Sequence, residues 1–449
     1  MLSKSKYTRG MNCNKSLWLY VHKKDEQVID ATTQAIFTQG TNVGQLAQAY
    51  FPNGKMAVLE DYPRYQSAKR TQELIDQGVE TIYEATFIYD DTLVAIDLLH
   101  KENERWHLYE VKSTNDTKPE HIKDVAVQYY VAVGAGLDLS NASVMHFDRD
   151  YVRHGDIEVQ KLFKHGSVLK HILPLQENIG SDLKKLKEML KADEPVVEMG
   201  THCHSPYSCD FAEYCKKLLP PVESEETAAL SNEPEIQVQQ IRNFVSRLKY
   251  PLCHLDFETL QPGVPMFDES SPYQQIAFQY SIHIQVEKGG PIMHREYLAE
   301  NNPDIDPRIG LIQQMIKDTK SAATILTYNQ GFEGSIIRQM KVNFPMYAQQ
   351  LQSILDRMDD LMIPFRSKHY KTESMEGRWS IKIVLPTLCP ELSYKDLDIG
   401  DGMAARNAFV ELYHCSDPDT IAKTRENLLK YCGLDTWAMV KVLEVLEGV

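Results

Sequence analysis

Three groups of residues in this chain have types and spacings that could do chemistry. In the first, Tyr109-Glu110-Val111-Lys112 closes a β-rich run. Side chains alternate along a strand, so Glu110 and Lys112 share one face. The preceding run, Val94-Ala95-Ile96-Asp97-Leu98-Leu99, carries a single acid among apolar residues, and Glu84 holds a similar place one run earlier. Burying such a carboxylate is costly unless it is paired or bound to metal. Asp97 and Glu110 can offer oxygen ligands to a hard divalent cation. A bound cation would lower the pKa of a water and polarise a phosphate, while Lys112 orients that water or offsets transition-state charge. The plain alternative for Glu-x-Lys is a surface salt bridge; Asp97 on the adjacent run favours a site.

The second group lies far along the chain. Asp256 and Glu258 stand two apart at the end of the apolar run Leu252–Phe257, so both face one way. Glu333 follows Tyr328-Asn329, where a strand passes into a helix. Tyr431 and Asp435 are one helical turn apart. Each piece alone reads as a solvated strand end or helix face. Together, in order, they are the carboxylates a paired-metal hydrolytic site requires, with Asp359 and Asp360 in reserve for Glu333.

The third group is thiol. Cys203, Cys209 and Cys215 are evenly spaced, and Cys13 is the one other cysteine ahead of a proline-rich acidic stretch near residue 220. Four thiolates suit an iron–sulfur cluster or zinc; His202 or His204 could join a zinc site, and the bland reading is reduced cysteines in a small core.

These residues carry two resemblances. Glu84, Asp97, Glu110 and Lys112 resemble the central motif of the RecB-like PD-(D/E)XK nucleases, and Asp124 and Gln128 resemble a later helix motif of that branch. Gly44, in Gly40-Thr41-Asn42-Val43-Gly44 at an expected helix start, stands where that branch has histidine, and Tyr129 and Tyr130 adjoin the glutamine in place of a later tyrosine. One cysteine before the core and three after it resemble the same branch's iron–sulfur staple, which implies a 4Fe-4S cluster on Cys13, Cys203, Cys209 and Cys215, with Zn2+ as the alternative. Asp256, Glu258, Glu333, Tyr431 and Asp435 resemble the DEDD 3′–5′ exonucleases of the ribonuclease H-like fold, in which the tyrosine orients the attacking water. Glu333 replaces the usual Asp, and Ser380-Ile381-Lys382 before Leu385-Pro386 resembles that family's later helix.

The elements needed to place these groups can be read from pattern. Thr81–Tyr89, Thr92–Leu99 and Trp106–Lys112 are β-rich and are separated by the polar, turn-like breaks Asp90-Asp91 and Lys101–Arg105, which predicts an antiparallel meander. Helical periodicity follows in Val125–Val133 and Leu183–Leu190. Later, strands are expected at Leu252–Phe257, Gln275–Ile284 and Thr324–Tyr328, and helices at Ser335–Met340 and Glu426–Leu446. The expected organisation is α/β throughout: a PD-(D/E)XK restriction-endonuclease-like domain over 1–220, an acidic linker over 221–245, and a ribonuclease H-like domain over 246–449.

The chain has 449 residues, 43 % of them hydrophobic, which suits two cores. Its formal net charge is −15, part of it in Glu223, Glu225, Glu226, Glu233 and Glu235. Such a charge argues against a broad, sequence-independent grip on duplex DNA, but clustered carboxylates are masked once cations bind. The start lacks the apolar stretch of a signal peptide and no run is long enough to span a bilayer, so a cytoplasmic protein without a membrane partner is expected. Eight cysteines are then not a disulfide framework.

The resulting expectation is a nuclease, exonucleolytic in character, that uses Mg2+ or Mn2+ to hydrolyse phosphodiesters of DNA at single strands or ends, with RNA as the alternative. By analogy the pairing of domains implies DNA repair, recombination or defence against foreign DNA. The rival expectation is a binding or adaptor protein whose carboxylates no longer catalyse.

Overall fold

The computed structural model describes residues 1–29, 31–58, 63–205, 207–219, 233–395 and 397–449. Packing divides the chain into one unit of Met1–Val222 with Gly263–Pro272 and another of Glu223–Pro262 with Tyr273–Val449. Both units are α/β.

In the first unit the strands are β1 (Leu2–Ser3), β2 (Lys55–Met56), β3 (Thr81–Tyr89), β4 (Thr92–Glu102), β5 (Arg105–Val111), β6 (Leu139–Phe147) and β7 (Phe163–Ser167). Among the described residues they form one sheet in the order β2-β3-β4-β5-β6-β7, with β1 parallel to the start of β4. The meander β3-β4-β5 is antiparallel, as the short polar breaks between its runs predict. Its turns, Asp90-Asp91 and Asn103-Glu104, each place two consecutive residues at positive φ, the geometry that matches strand twist in a two-residue hairpin. The helix Pro119–Gly134, with proline in its first turn, then crosses over so that β6 lies parallel to β5. It buries Val125, Val127 and Val131 in the core that holds Ile82, Ile96 and Leu108. The Gly40–Gly44 run lies inside the helix Ala31–Gln48 rather than at a helix start.

In the second unit the strands are β8 (Glu235–Ile236), β9 (Leu252–Leu260), β10 (Ile276–Gln285), β11 (Ile292–Leu298), β12 (Thr324–Thr327), β13 (Met358–Asp360) and β14 (Tyr370–Lys371). The main sheet runs β11-β10-β9-β12-β13. β10 is antiparallel to β9 and β11, while β12 is parallel to β9 and β13 parallel to β12. Both faces of this sheet are covered. Cys253, Leu255 and Phe257 of β9 pack on one face with Leu311 and Ile337 of flanking helices. The alternate residues of β9, Asp256 and Glu258 included, turn to the other face, which the 30-residue helix Pro418–Glu447 covers.

Residues 221–232 of the expected linker, and residue 220 before it, lie outside the described residues. The later part of that range is not linker: Val238–Arg247 is a helix whose Ile241 and Phe244 are buried with Leu252 and Leu443. Val238, Ile241, Phe244 and Val245 fall at helical spacing, a periodicity that a reading by composition passes over. Among the described residues, no helix is long and apolar enough to cross a membrane.

Candidate functional sites

In the first unit, strand pairing delivers the acids. Leu98 pairs with Tyr109, which brings Asp97 and Glu110 alongside across β4 and β5, and the backbone N–H of Val111 donates to Asp97 Oδ2 at 2.6 Å. Burial first, and then the Glu110 carboxylate, push Asp97 up to about 8. Burial also raises Glu84, which sits at φ 54° inside β3. A bulky residue at positive φ within a strand is strained and marks a position held by its surroundings. Glu110 is 1 % exposed, and its oxygens accept from Lys112 Nζ at 2.8 Å, Lys4 Nζ at 2.6 Å and Gln128 Nε2 at 2.7 Å. Burial opposes the charge on Glu110, but Lys112 and Lys4 hold its carboxyl well below the usual range. Lys112 also bonds Asp124; against burial, Glu110 and Asp124 raise its pKa.

The structure therefore brings Glu84, Asp97, Glu110, Lys112, Asp124 and Gln128 together. It adds Lys4, which no motif marks: β1 places it at the N-terminus of the helix Lys4–Asn12 beside β4. The unusual feature of the site is that both carboxylate oxygens of Glu110 are already engaged by side chains of the chain itself.

At the far end of that helix, Cys13 caps the next helix, Asn14–His22, with its Sγ accepting from Ser16 N at 3.4 Å. Cys13, Cys203, Cys209 and Cys215 all line one small cavity, with Lys15, Ser16 and His202. None is in a disulfide. Burial raises the Cys13 and Cys215 thiols, and the neighbouring cysteines add to it. Four free thiols line one cavity, although no three of their sulfurs lie within 4.8 Å of one another, a spacing wider than a single zinc ion would hold. His204 does not line the cavity, whereas His202 approaches Cys203 Sγ at 3.6 Å.

In the second unit, Asp256, Glu258, Tyr431 and Asp435 line one open cavity of about 330 Å3, together with Lys382, Tyr328 and Arg406. Ligand atoms of Asp256, Glu258 and Cys432 lie within 4.8 Å of one another, the one such grouping found among the described residues. Burial and then Asp435 raise Asp256 well above the usual carboxylate range; burial and then Asp256 do the same for Glu258. Asp435 rises less, to about 6, because Tyr394, Lys382 and Tyr431 offset its burial. Tyr394 Oη donates to Asp435 Oδ1 at 2.6 Å, and Lys382 Nζ donates to Tyr431 Oη at 3.0 Å.

Glu333 is 3 % exposed, near the start of the helix Gln330–Asn343. Burial and Asp256 push it up to about 9, and its Oε2 has no hydrogen-bond partner. It does not line the open cavity. Of the reserve acids, Asp359 pairs with Arg247, and buried Asp360 accepts from the backbone N–H groups of Asn329 and Met362. Tyr394 and Cys432 were not foreseen: Tyr394 carries no local pattern, and Cys432 reads as an ordinary helix-core residue.

Comparison with known proteins yields a family model described as "Domain of unknown function (DUF2779)", matched by residues 253–380. That span holds Asp256, Glu258 and Glu333 and stops short of Lys382, Tyr431 and Asp435. The chain is similar to "Uncharacterized protein MG366 homolog" of Mycoplasma pneumoniae, 26 % identical over 215 residues, 44 % of this chain and 32 % of the relative. It is also similar to "Uncharacterized protein MG366" of Mycoplasma genitalium, 23 % identical over 227 residues, 46 % of this chain and 34 % of the relative. "Uncharacterized protein UU173" of Ureaplasma parvum is 25 % identical over 224 residues, 44 % of this chain and 31 % of the relative. The chain thus spans about a third of the length of these curated relatives.

Proposed function

We propose that the chain is a metal-dependent nuclease, with a DEDD-like exonuclease site in the second unit and a RecB-like site in the first. The observation that carries the proposal is the convergence of Asp256, Glu258 and Asp435, from β9 and from the last helix, on one cavity beside Tyr431. Burial raises all three carboxyls, and for Asp256 and Glu258 the neighbouring carboxylates add repulsion to it. The unpartnered, buried oxygen of Glu333 next to this group fits a cation as its missing partner. The order and directions of β11-β10-β9-β12-β13 are those of a ribonuclease H-like sheet and support the reading. In the first unit, a β3-β4-β5 meander followed by a helix and the parallel β6 supports a restriction-endonuclease-like fold in the same way.

When bound at Asp256, Glu258 and Asp435, Mg2+ or Mn2+ supplies an activated water and charge stabilisation at the phosphate. The chain's own groups do the rest. Tyr394 and Tyr431 hold Asp435 in place, and Lys382 fixes the Tyr431 hydroxyl as the group that orients the water. Lys382 and Arg406, both lining the cavity, offer positive charge to a phosphate backbone. In the first unit, Asp97 and Glu110 would hold the cation and Lys112 would stabilise the developing charge. The thiols of Cys13, Cys203, Cys209 and Cys215 would hold an iron–sulfur cluster, a structural role that ties residue 13 to residues 203–215. The substrate is DNA, at single strands or ends.

A second reading, that the first unit binds nucleic acid without cutting it, is favoured by the engagement of both Glu110 oxygens. The deciding experiment is degradation of end-labelled DNA and RNA with Mg2+ or Mn2+ by wild type, Asp256→Ala and Lys112→Ala. Loss of 3′-end degradation in Asp256→Ala supports the exonuclease site, and loss of a separate cleavage in Lys112→Ala supports the first. No degradation of either polymer by the wild type refutes the proposal.

A further inference from the structure

The first site contains a cation that its motif does not account for. Lys4 Nζ lies 2.6 Å from Glu110 Oε1, while Lys112 Nζ lies 2.8 Å from the same oxygen and Gln128 Nε2 takes the other. Glu110 is the carboxylate that Asp97 must share with any divalent ion. Oε1 accepts from both lysines and Oε2 from Gln128 alone, so an ion that takes Oε1 must displace one of the two ammonium groups. Gln128 is wholly buried and also donates to Ala95 O, and Lys112 is anchored to Asp124. Lys4 makes no second side-chain hydrogen bond with the described residues, and this, not exposure, separates it from Lys112, since the two side chains are 23 % and 20 % exposed. It is the donor free to leave.

What delivers Lys4 is equally specific. Leu2 and Ser3 pair with Thr92 and Leu93 of β4, and Ser3 caps the helix that begins at Lys4. That helix of nine residues, on the order of 13 Å long, ends at Cys13 on the cysteine cavity. The Lys4 backbone is thus held beside the site by a short helix anchored at both ends, while the ammonium rides on a flexible side chain.

We propose that Lys4 is a tethered counter-cation of the first site: its ammonium occupies Glu110 in the metal-free protein and competes with the divalent cation for that carboxylate. Lys4 is a positioning residue, distinct from Lys112, and it makes the first site a weaker metal binder than its acids alone would be. The proposal rests on the reading of Asp97 and Glu110 as cation ligands.

Direct metal binding tests it. In the full chain carrying Asp256→Asn and Glu258→Gln, so that the second unit contributes little, Mn2+ binding is followed by calorimetry and by loss of the free-ion spin-resonance signal. Lys4→Gln keeps a hydrogen-bond donor for Glu110 but removes the charge, so it should still fold and should bind Mn2+ at least about tenfold more tightly. Lys4→Arg keeps the charge and should stay within about threefold of the parent. Equal or weaker Mn2+ binding by Lys4→Gln, with its melting profile intact, overturns the proposal while leaving the metal reading in place. If Lys4→Gln does not fold, tightening of the parent's Mn2+ affinity on deletion of Met1–Lys4 is the supporting result, and unchanged affinity overturns the proposal. Absence of Mn2+ binding in every variant, unaffected by Asp97→Asn, removes both the metal reading of this site and the proposal.

Discussion

Tyr394 donates its hydroxyl to Asp435 at 2.6 Å, across 41 residues of chain, and Asp435 in turn is bonded by Tyr431 one helical turn away. The carboxylate expected to complete a metal site is thereby held between two phenols. Each phenol lowers the Asp435 pKa against its burial, so each helps to keep a charged ligand inside a low-dielectric cavity.

Tyr394→Phe should therefore weaken Mn2+ binding by the second unit. Losing one hydrogen bond to a charged group corresponds to about 1.5–3 kcal/mol, or roughly ten- to a hundredfold in affinity. Tyr431→Phe should lower turnover with a smaller change in affinity, because Tyr431 also faces the cavity and positions water. Calorimetric Mn2+ titration beside single-turnover rates separates the two; identical profiles for both variants would contradict the division of roles.

Asp256→Ala should abolish 3′-end degradation by the second unit and leave cleavage by the first intact, while Lys112→Ala should do the reverse. The motifs of each site lie within one unit, which motivates the independence. Simultaneous loss of both activities in Asp256→Ala, scored on end-labelled substrates, would mean a single composite site.

The acids also set a pH dependence. Glu333 at about 9, Asp435 at about 6 and Asp97 at about 8 are raised above the roughly 4 of an unfolded chain. The folded state therefore binds these protons more tightly than the unfolded state, so their contribution to stability falls as pH rises above roughly 4 and is lost by about 6 for Asp435, about 8 for Asp97 and about 9 for Glu333. Glu110 is shifted the other way, and its contribution is lost only in acid, below this window. Thermal melts in EDTA should show Tm declining from pH 6 to pH 9. The Tm gained on adding Mg2+ or Mn2+ should grow over the same range, because the ion binds the deprotonated acids. A pH-independent metal increment would show that these carboxylates are not the ligands.

Anaerobically purified protein should be brown and carry iron near the amount of one cluster. Cys209→Ala should lose both iron and colour, and the first unit should melt earlier, since a group bound only by the folded state stabilises it. Metal analysis with visible absorption decides this; colourless protein with stoichiometric zinc would replace the iron–sulfur assignment by zinc.

A fragment of the second unit needs its first helix. Ile241 and Phe244 are buried to 0 % and 3 % exposure in the core with Leu443, so 233–449 should be more stable than 250–449 by about 3–6 kcal/mol of lost burial. Chemical denaturation of both fragments reads the difference, and equal midpoints would show that the helix adds nothing.

Local pattern alone determined much of this molecule. Runs of β-forming and apolar residues marked β3, β4, β5 and β9, and the two-residue period of a strand put Asp256 with Glu258, and Glu110 with Lys112, on common faces. Spacing within a single element is a property of the backbone, so it needs no knowledge of the rest of the chain. Tertiary structure alone decided which distant groups complete each site. Lys4 reaches Glu110 across 106 residues because β1 pairs with β4, and Tyr394 reaches Asp435 because the last helix lies over β9 and beside the helix at 381–388. The helix at 238–247 was legible in the spacing of Val238, Ile241, Phe244 and Val245, and only the core it joins was left to tertiary structure. The same holds for protonation. Nothing in the order of residues raises Asp97 while lowering Glu110; burial and the lysines that the fold brings to one of them but not the other do that.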